Sequence, residues 1–211
     1  MPQPDTKTRI LDSAERLFAR DGFHNTSLRT LTRLADVNLA AVNYHFGTKE
    51  ALLRAVIERR LLPLNQLRRQ RLEQEMDRAQ RSQQRPQPGD LLRAFILPTL
   101  EFRNSGPGAE AFIALIGRSW SEADETVRNC FLELALPNFQ LLFEHLRQAL
   151  PELPAAILFA RLQFTMGTMS HVMCMSSRTI PRSGGFPDPL RPEELMQQLL
   201  VFVQAGLEAP Q

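Results

Sequence analysis

Three consecutive residues, Asn43, Tyr44 and His45, carry the most specific candidate chemistry in this sequence. They lie in the segment LAAVNYHF, residues 39–46, whose apolar positions recur at intervals of three and four residues. That spacing predicts a short helix with one inward face. The outward face then presents amide, phenol and imidazole groups, which can pair with adenine or donate hydrogen bonds to phosphate oxygens. The pattern fits a helix that contacts DNA and a generic helical hairpin inside an all-α core equally well, and it leaves both open.

The elements that would position this helix precede it directly. Leu28, Leu31 and Leu34 recur every third residue in the segment SLRTLTRLA, so a first short helix is expected to bury all three on one face. Thr26 or Ser27 supplies a hydroxyl that caps such a helix start. The two helices form a hairpin closed by residues 36–38.

Within that turn, Asp36 tolerates the left-handed backbone of a sharp corner, and Asn38 is a suitable cap for the second helix. Leu39, Val42 and Phe46 are expected to face inward. An earlier amphipathic helix starts at Asp5 or Thr6, runs to about residue 20 and closes at 21–22. These three helices are marginal as a domain by themselves, so they require a following helix to pack against.

This N-terminal pattern resembles the DNA-binding domain of the TetR (tetracycline repressor) family. The resemblance covers the first quarter to third of the chain, and Asp36 departs from it, because the family usually has Gly at the turn. The matching residues are Ile10, Leu11, Ala14, Leu17, Phe18, Gly22, Phe23, Thr26, Ser27, Leu31, Ala35, Val37, Val42, Tyr44, Phe46, Lys49 and Leu52.

The resemblance implies a homodimer that places two copies of the 39–46 helix in successive major grooves of a palindromic operator. It also implies phosphate contacts from Tyr44, His45 and Lys49. The segment VNLAAVNYHFGTKEAL and a proline in the fourth helix are similar to a PsrA-like, fatty-acid-responsive subgroup. The full set of expected DNA-binding residues is Thr26, Ser27, Arg29, Asn38, Leu39, Ala40, Asn43, Tyr44, His45 and Lys49.

Composition sets the wider bounds. The chain has 211 residues, 43% hydrophobic and 23% charged, with a net charge of +2, which is ordinary for a soluble globular protein. Its start is polar and no apolar run approaches the roughly 18 residues of a membrane span, so a cytoplasmic protein with no membrane partner is expected. Cys130 and Cys174 are expected to be buried free thiols.

The segment after the hairpin predicts a long helix starting near residue 49, with a kink or break near 58–62 caused by Pro63. Residues 66–85 are rich in Arg and predict a solvated face, with a secondary attraction to DNA as the alternative. Residues 82–90 read as a loop. We therefore expect domains at 1–48 (DNA binding), 49–90 (connecting helix and loop) and 91–211 (ligand binding and dimerisation).

The remainder predicts helices near 91–103, 109–120, 122–150, 155–177 and 192–206, with a loop at 178–192, so the fold is all-α with about nine helices. Its Phe and Met residues favour plain core for each side chain singly and a pocket for a small apolar or acyl ligand as a set. The expected ligand-binding residues are Phe95, Phe112, Ile116, Arg118, Trp120, Phe131, Phe139, Phe143, Leu162, Met166 and Met169.

The last two helices are apolar over more than one stripe, which favours a dimer interface, and the family resemblance implies one there. Its expected residues are Phe164, Thr168, His171, Leu199, Phe202 and Val203. Arg118 could pair with an anionic ligand, or with a glutamate at 122, 133 or 144.

No catalytic motif, phosphate-binding loop or cofactor signature is recognisable, and His171 with Cys174 is too sparse for a metal site. The sequence thus predicts a repressor released from DNA by a ligand. The alternative is an all-α enzyme or binding protein for apolar molecules.

Overall fold

The structure, a computed structural model, describes residues 5–103, 105–121, 125–174 and 190–210. Within these ranges it contains nine α-helices and no strand. The helices are α1 (Thr6–Asp21), α2 (Leu28–Ala35), α3 (Leu39–Phe46), α4 (Lys49–Arg81), α5 (Pro88–Arg103), α6 (Pro107–Ser121), α7 (Glu125–Ala149), α8 (Ala155–Cys174) and α9 (Pro192–Glu208). The predicted all-α fold is confirmed.

The chain forms two compact units. The first comprises Met1–Pro63 and Arg103–Leu136, and the second comprises Leu64–Phe102 and Pro137–Gln211. Helices α4 and α7 therefore contribute residues to both units. The domain boundaries proposed from the sequence, at 48 and 90, remain a prediction.

Helix α1 is held by local signals at both ends and by a buried stripe between them. Asp5 caps it, because its carboxylate accepts a hydrogen bond from the Thr8 amide at 2.6 Å. Gly22 ends it with a φ of 87°, a conformation that favours glycine. Ile10 and Phe18 are fully buried, and the Phe18 ring meets the Phe23 ring edge-on at 5.4 Å.

Helices α2 and α3 begin at the predicted caps, but each has one leucine that was predicted to be buried and is exposed. Leu34 and Leu39 are each 50% exposed, so the expectation that both face inward is wrong. Leu31 and Val42 are buried and carry the packing of the two helices. In an eight-residue helix the buried stripe is only about two residues long, so flanking leucines fall outside it.

Helix α4 runs without a break from Lys49 to Arg81, through Pro63, so the predicted break at 58–62 is wrong. The kink predicted there as the alternative stays a prediction. Pro63 is exposed, while Leu61 and Leu64 on either side of it are buried. A proline removes one backbone hydrogen bond from a helix. The helix continues in spite of that loss, with a buried leucine before and after the proline.

In the second unit, α8 and α9 pack together and the C-terminal end of α9 is fixed by an arginine. Arg161 on α8 donates hydrogen bonds to the backbone oxygens of Leu207 at 2.9 Å and Ala209 at 2.6 Å. These carbonyls are among those left without partners at a helix end. The predicted continuation of α8 through 175–177 and most of the loop at 178–192 lie outside the described residues.

Candidate nucleic-acid interface

The exposed side of α3 is built from small and polar groups around one protruding ring. Tyr44 is 86% exposed, and Ala40 and Asn43 beside it are also exposed. Leu39 is exposed at the N-terminal end of the same helix and so belongs to this face rather than to the core. A face of this kind suits close approach to the edges of bases.

The turn before α3 fixes its start relative to α2. Asp36 adopts the left-handed conformation with a φ of 52°, as its place in the sequence predicted. The Val37 amide donates a hydrogen bond to the Thr32 oxygen at 3.0 Å, which closes the end of α2. Asn38 then caps α3, because its side-chain oxygen accepts a hydrogen bond from the Ala41 amide at 2.8 Å. Asn38 is thus engaged in positioning α3.

At the start of α2, two adjacent hydroxyl residues have different roles. Ser27 is exposed and caps the helix, accepting a hydrogen bond from the Thr30 amide at 3.0 Å. Thr26 is only 3% exposed, and its hydroxyl donates to the Gly22 oxygen at 2.8 Å. The side chain of Thr26 therefore stabilises the loop, and its inclusion among the DNA-contacting side chains is not supported by this geometry. Arg29 is exposed on the first turn of α2.

The start of α4 presents a second polar edge in the same unit. Thr48 caps α4 by accepting a hydrogen bond from the Ala51 amide at 3.0 Å. The Lys49 ammonium lies 4.4 Å from the centroid of the Phe23 ring and donates to the His24 oxygen at 3.5 Å. Lys49 and His45 are both half-buried. A helix start with an adjacent cation is a favourable place for a phosphate.

A buried ion-pair network fastens α1 to α4. The Glu15 side chain is only 4% exposed, and its two oxygens accept hydrogen bonds from Arg59 at 2.7 Å and from Arg60 at 2.7 and 2.8 Å. Arg59 also bonds Asp12 at 2.6 Å. The Glu15 carboxylate, as hydrogen-bond acceptor and countercharge, raises the pKa of Arg60. This network ties α1 to α4 at Arg59 and Arg60.

The residues predicted to bind a ligand divide between the two units. Phe112, Ile116 and Phe131 belong to the first unit, where the rings of Phe112 and Phe131 lie 6.5 Å apart. The second unit contains Phe95, Phe139, Phe143, Leu162, Met166 and Met169. In that unit the Phe95 and Phe139 rings lie 5.5 Å apart. The side chains of Arg118 and Trp120 lie outside what the structure describes.

One residue that the sequence pattern placed on a solvated face is buried. Arg68 in α4 is 4% exposed, unlike its exposed neighbour Arg69. The signal was present, because Arg68 occupies a position on the stripe formed by Leu61, Leu64 and Leu72, at intervals of three and four residues. Because Arg68 is charged, it was assigned to the solvated face together with the other arginines of residues 66–85.

The residues predicted for the dimer interface differ in their exposure. Phe164 and Phe202 are 72% and 67% exposed, and His171 is also exposed. Leu199 and Val203 are only 4% and 3% exposed, so they pack inside the protomer and a partner could cover little of them. Thr168 is half-buried, and its hydroxyl donates to the Phe164 oxygen at 2.8 Å. Among the predicted interface residues, Phe164 and Phe202 therefore contribute the large exposed apolar side chains.

Two further findings bound the chemistry of the described residues. They include no group of three or more His, Cys, Asp or Glu side chains arranged to hold a metal ion. None of the helices they form combines the length and the apolar character needed to cross a bilayer.

Comparisons with known proteins cover both ends of the chain. Residues 10–56 match the family described as bacterial regulatory proteins, tetR family. Residues 93–206, more than half of the chain, match the family described as tetracyclin repressor-like, C-terminal domain.

Curated relatives align over the N-terminal part. The HTH-type transcriptional regulator UidR of Escherichia coli (strain K12) is 36% identical over 52 residues, which are 25% of this chain and 26% of that protein. The probable HTH-type transcriptional regulator YttP of Bacillus subtilis (strain 168) is 40% identical over 52 residues, 25% of each chain. The chain thus spans about a quarter of the length of these relatives.

Solved structures extend the likeness in fold to the whole chain. The fatty acid degradation regulator FadR from Bacillus halodurans has a TM-score of 0.71 at 14% identity, covering 99% of both chains. The TetR family regulator PfmR from Thermus thermophilus has a TM-score of 0.63 at 20% identity, covering 95% of this chain and 99% of that one. Fold and both family matches agree with the resemblance seen in the sequence. This chain belongs to the TetR family of bacterial regulatory proteins.

Proposed function

We propose that this protein is a cytoplasmic, ligand-responsive transcription regulator, a repressor that leaves a palindromic operator when a small apolar or acyl ligand binds. The observation that carries the DNA-binding part is the exposed edge of α3, formed by Asn43 and by Tyr44 at 86% exposure. A tyrosine this exposed, in the last turn of a firmly capped helix, packs within the described residues mainly against the His45 ring, whose centroid lies 5.2 Å away. The small and polar residues beside Tyr44 on α3 suit contact with a DNA duplex.

The proposed contacts come from polar groups on α3 and at the start of α4. The Asn43 amide can read a base edge, and the Tyr44 hydroxyl can donate to a phosphate oxygen. The start of α4, with Thr48 and the Lys49 ammonium, offers a phosphate site on the flank. Ser27 and Asn38 serve this interface indirectly, by fixing the starts of α2 and α3.

Two-fold symmetry would bring a second α3 into the next major groove of the operator. The exposed rings of Phe164 on α8 and Phe202 on α9, with Phe159 and Val201 also exposed on these two helices, support a dimer contact there, because extended exposed apolar surface marks interaction sites. His171 and Thr168 lie on the same helix as Phe164. The dimer interface itself remains part of this proposal.

Helix α4 is the element through which we propose that a ligand acts on DNA binding. It contributes residues to both compact units, and in the first unit Arg59 and Arg60 tie it to α1. A ligand that binds one conformation of the second unit better than another would shift the position of α4. A coupling of about 1–3 kcal/mol would change operator affinity roughly 5- to 150-fold.

The decisive experiment is selection of bound sequences from random duplex DNA by the purified full-length chain. We expect enrichment of an inverted repeat, and loss of that enrichment in Asn43→Ala and Tyr44→Ala. Gln140→Ala, which alters an exposed residue of α7, serves as the matched control and should select the same repeat. Circular dichroism would verify that each variant is folded. Failure of the parent chain to enrich any sequence would favour a binding protein with no DNA role.

A further inference from the structure

We propose that Arg68 holds the anionic head group of the ligand, so that the ligand is an amphipathic carboxylate rather than a neutral apolar molecule. This inference rests on the proposed ligand response, and it specifies the chemical class of the ligand. It is drawn from the surroundings of one buried cation in the second unit.

The guanidinium of Arg68 is surrounded by neutral acceptors. Its Nε donates to the Phe95 backbone oxygen at 3.2 Å, Nη1 donates to the Asn65 side chain at 3.3 Å, and Nη2 donates to the Thr99 hydroxyl at 2.6 Å. Its Cζ lies 4.3 Å from the centroid of the Phe95 ring. Asn65 and Thr99 are themselves buried.

A negative charge is missing from this arrangement. Among the residues that the structure describes, no Asp or Glu forms an ion pair with Arg68. Burial lowers the pKa of Arg68 to about 9, so the group still carries its charge at neutral pH. A buried charge without a countercharge is costly, and proteins pair such groups with an opposite charge. An anion supplied from outside would remove this cost.

The number of free donors and the net charge both indicate a carboxylate. Each terminal guanidinium nitrogen carries two N–H groups and uses one of them for Asn65 or Thr99. One N–H on each remains to meet the two oxygens of a carboxylate, the acceptor whose geometry arginine matches. A single cation neutralises a monoanion, whereas a phosphate monoester would leave additional negative charge buried.

The apolar surroundings explain why the ligand should also carry a hydrocarbon part. Arg68 stacks on Phe95, whose ring lies 5.5 Å from that of Phe139. Aromatic rings beside a buried charged donor are typical of sites for molecules with a polar head and an apolar tail.

The test compares ligands that differ only in the head group, with DNA absent. Binding of n-alkyl carboxylates of eight to sixteen carbons, the matching alcohols and the matching alkyl phosphates would be measured by calorimetry. We expect a carboxylate to bind the parent at least tenfold more tightly than its alcohol and its phosphate. Equal binding of acid and alcohol, preference for the phosphate, or no binding by any acid in the series would overturn the inference.

Variants of Arg68 then assign the preference to that residue. Arg68→Met should lose roughly tenfold to a hundredfold in carboxylate affinity while its affinity for the alcohol changes little. Arg68→Lys keeps the charge and should keep part of the preference. Arg69→Met, the adjacent exposed arginine, should behave as the parent. An unchanged preference in a folded Arg68→Met protein would contradict the assignment.

The outcomes separate this inference from the proposed function. Carboxylate binding without an enriched operator would leave the ligand site standing and remove the regulator. An enriched operator without carboxylate binding would leave the regulator standing and remove the ligand site.

Discussion

Glu15 and Arg68 are two buried charges in opposite situations. Glu15, in the first unit, has both carboxylate oxygens bonded by Arg59 and Arg60 at 2.7–2.8 Å. Arg68, in the second unit, has three hydrogen-bond acceptors, none of which is charged. The chain itself neutralises the first charge and leaves the second charge to another molecule.

This difference assigns a structural role to one site and a recognition role to the other. A charge that is fully paired within the chain gains nothing from a ligand, and it makes the joint between α1 and α4 rigid. A charge that is buried and unpaired stores an unfavourable free energy, which a bound anion can release. Substitutions at the two sites should therefore affect stability very differently.

The largest effect is expected for Glu15→Gln. Removing the carboxylate leaves the partly buried Arg60 guanidinium without its paired carboxylate and leaves Arg59 with Asp12 alone. Breaking a buried pair in this way costs about 3–5 kcal/mol. Urea unfolding should show a loss of about 3 kcal/mol or more. Glu152→Gln, which alters an exposed carboxylate in the turn before α8, should lie within about 0.5 kcal/mol of the parent. A loss at Glu15 no greater than that would show that the network is solvated.

Arg68→Met should change the free energy of unfolding far less, within about 2 kcal/mol of the parent in either direction. The three hydrogen bonds lost are offset by removal of an uncompensated buried charge, and a methionine fills much of the same space. The same urea titration measures it. A loss as large as that of Glu15→Gln would mean that a carboxylate partner of Arg68 exists in solution, and the contrast between the two sites would fail.

The helix caps, the misplaced leucines and Arg68 show which features could be predicted from the sequence. Helix positions, the Ser27 and Asn38 caps and the left-handed Asp36 depend on local chemistry, and they were predictable from neighbouring residues. Leu34 and Leu39 were misplaced, because a stripe on a short helix does not say which of its edges meets a neighbour. The burial of Arg68 depends on α5, which supplies Phe95 and Thr99 from far along the chain.

Ser27→Ala tests whether the α2–α3 hairpin satisfies its polar groups locally, as the first unit does at Glu15. Loss of the hydroxyl frees the Thr30 amide, which should cost about 1 kcal/mol. Ser82→Ala is the matched control near the end of α4, where the hydroxyl only donates to carbonyl oxygens of its own helix. We expect little change there in thermal unfolding. An equal effect of the two substitutions would argue against a specific capping role.

His145 extends the comparison to a third group and gives the smallest expected effect. Both its ring nitrogens are buried without a hydrogen-bond partner among the described residues, and His145 lies in the same unit as Arg68. Burial lowers the pKa of His145, and the negative charges of Glu73 and Glu144 oppose that shift only partly.

The sign of the pH dependence follows from that direction. Since the unfolded chain binds a proton near the ordinary value of 6.5 and the folded protein resists it, stability is complete above 6.5. It should fall as the pH decreases from there through the lowered pKa. Melting temperatures between pH 7.5 and 5.5 should decline less steeply in His145→Gln than in the parent, while His171→Gln, at an exposed position, should follow the parent. Parallel declines of the melting temperature in all three proteins would show that protonation of His145 costs no stability. The absence of a hydrogen-bond partner in this unit would then not by itself indicate an unfavourable buried group.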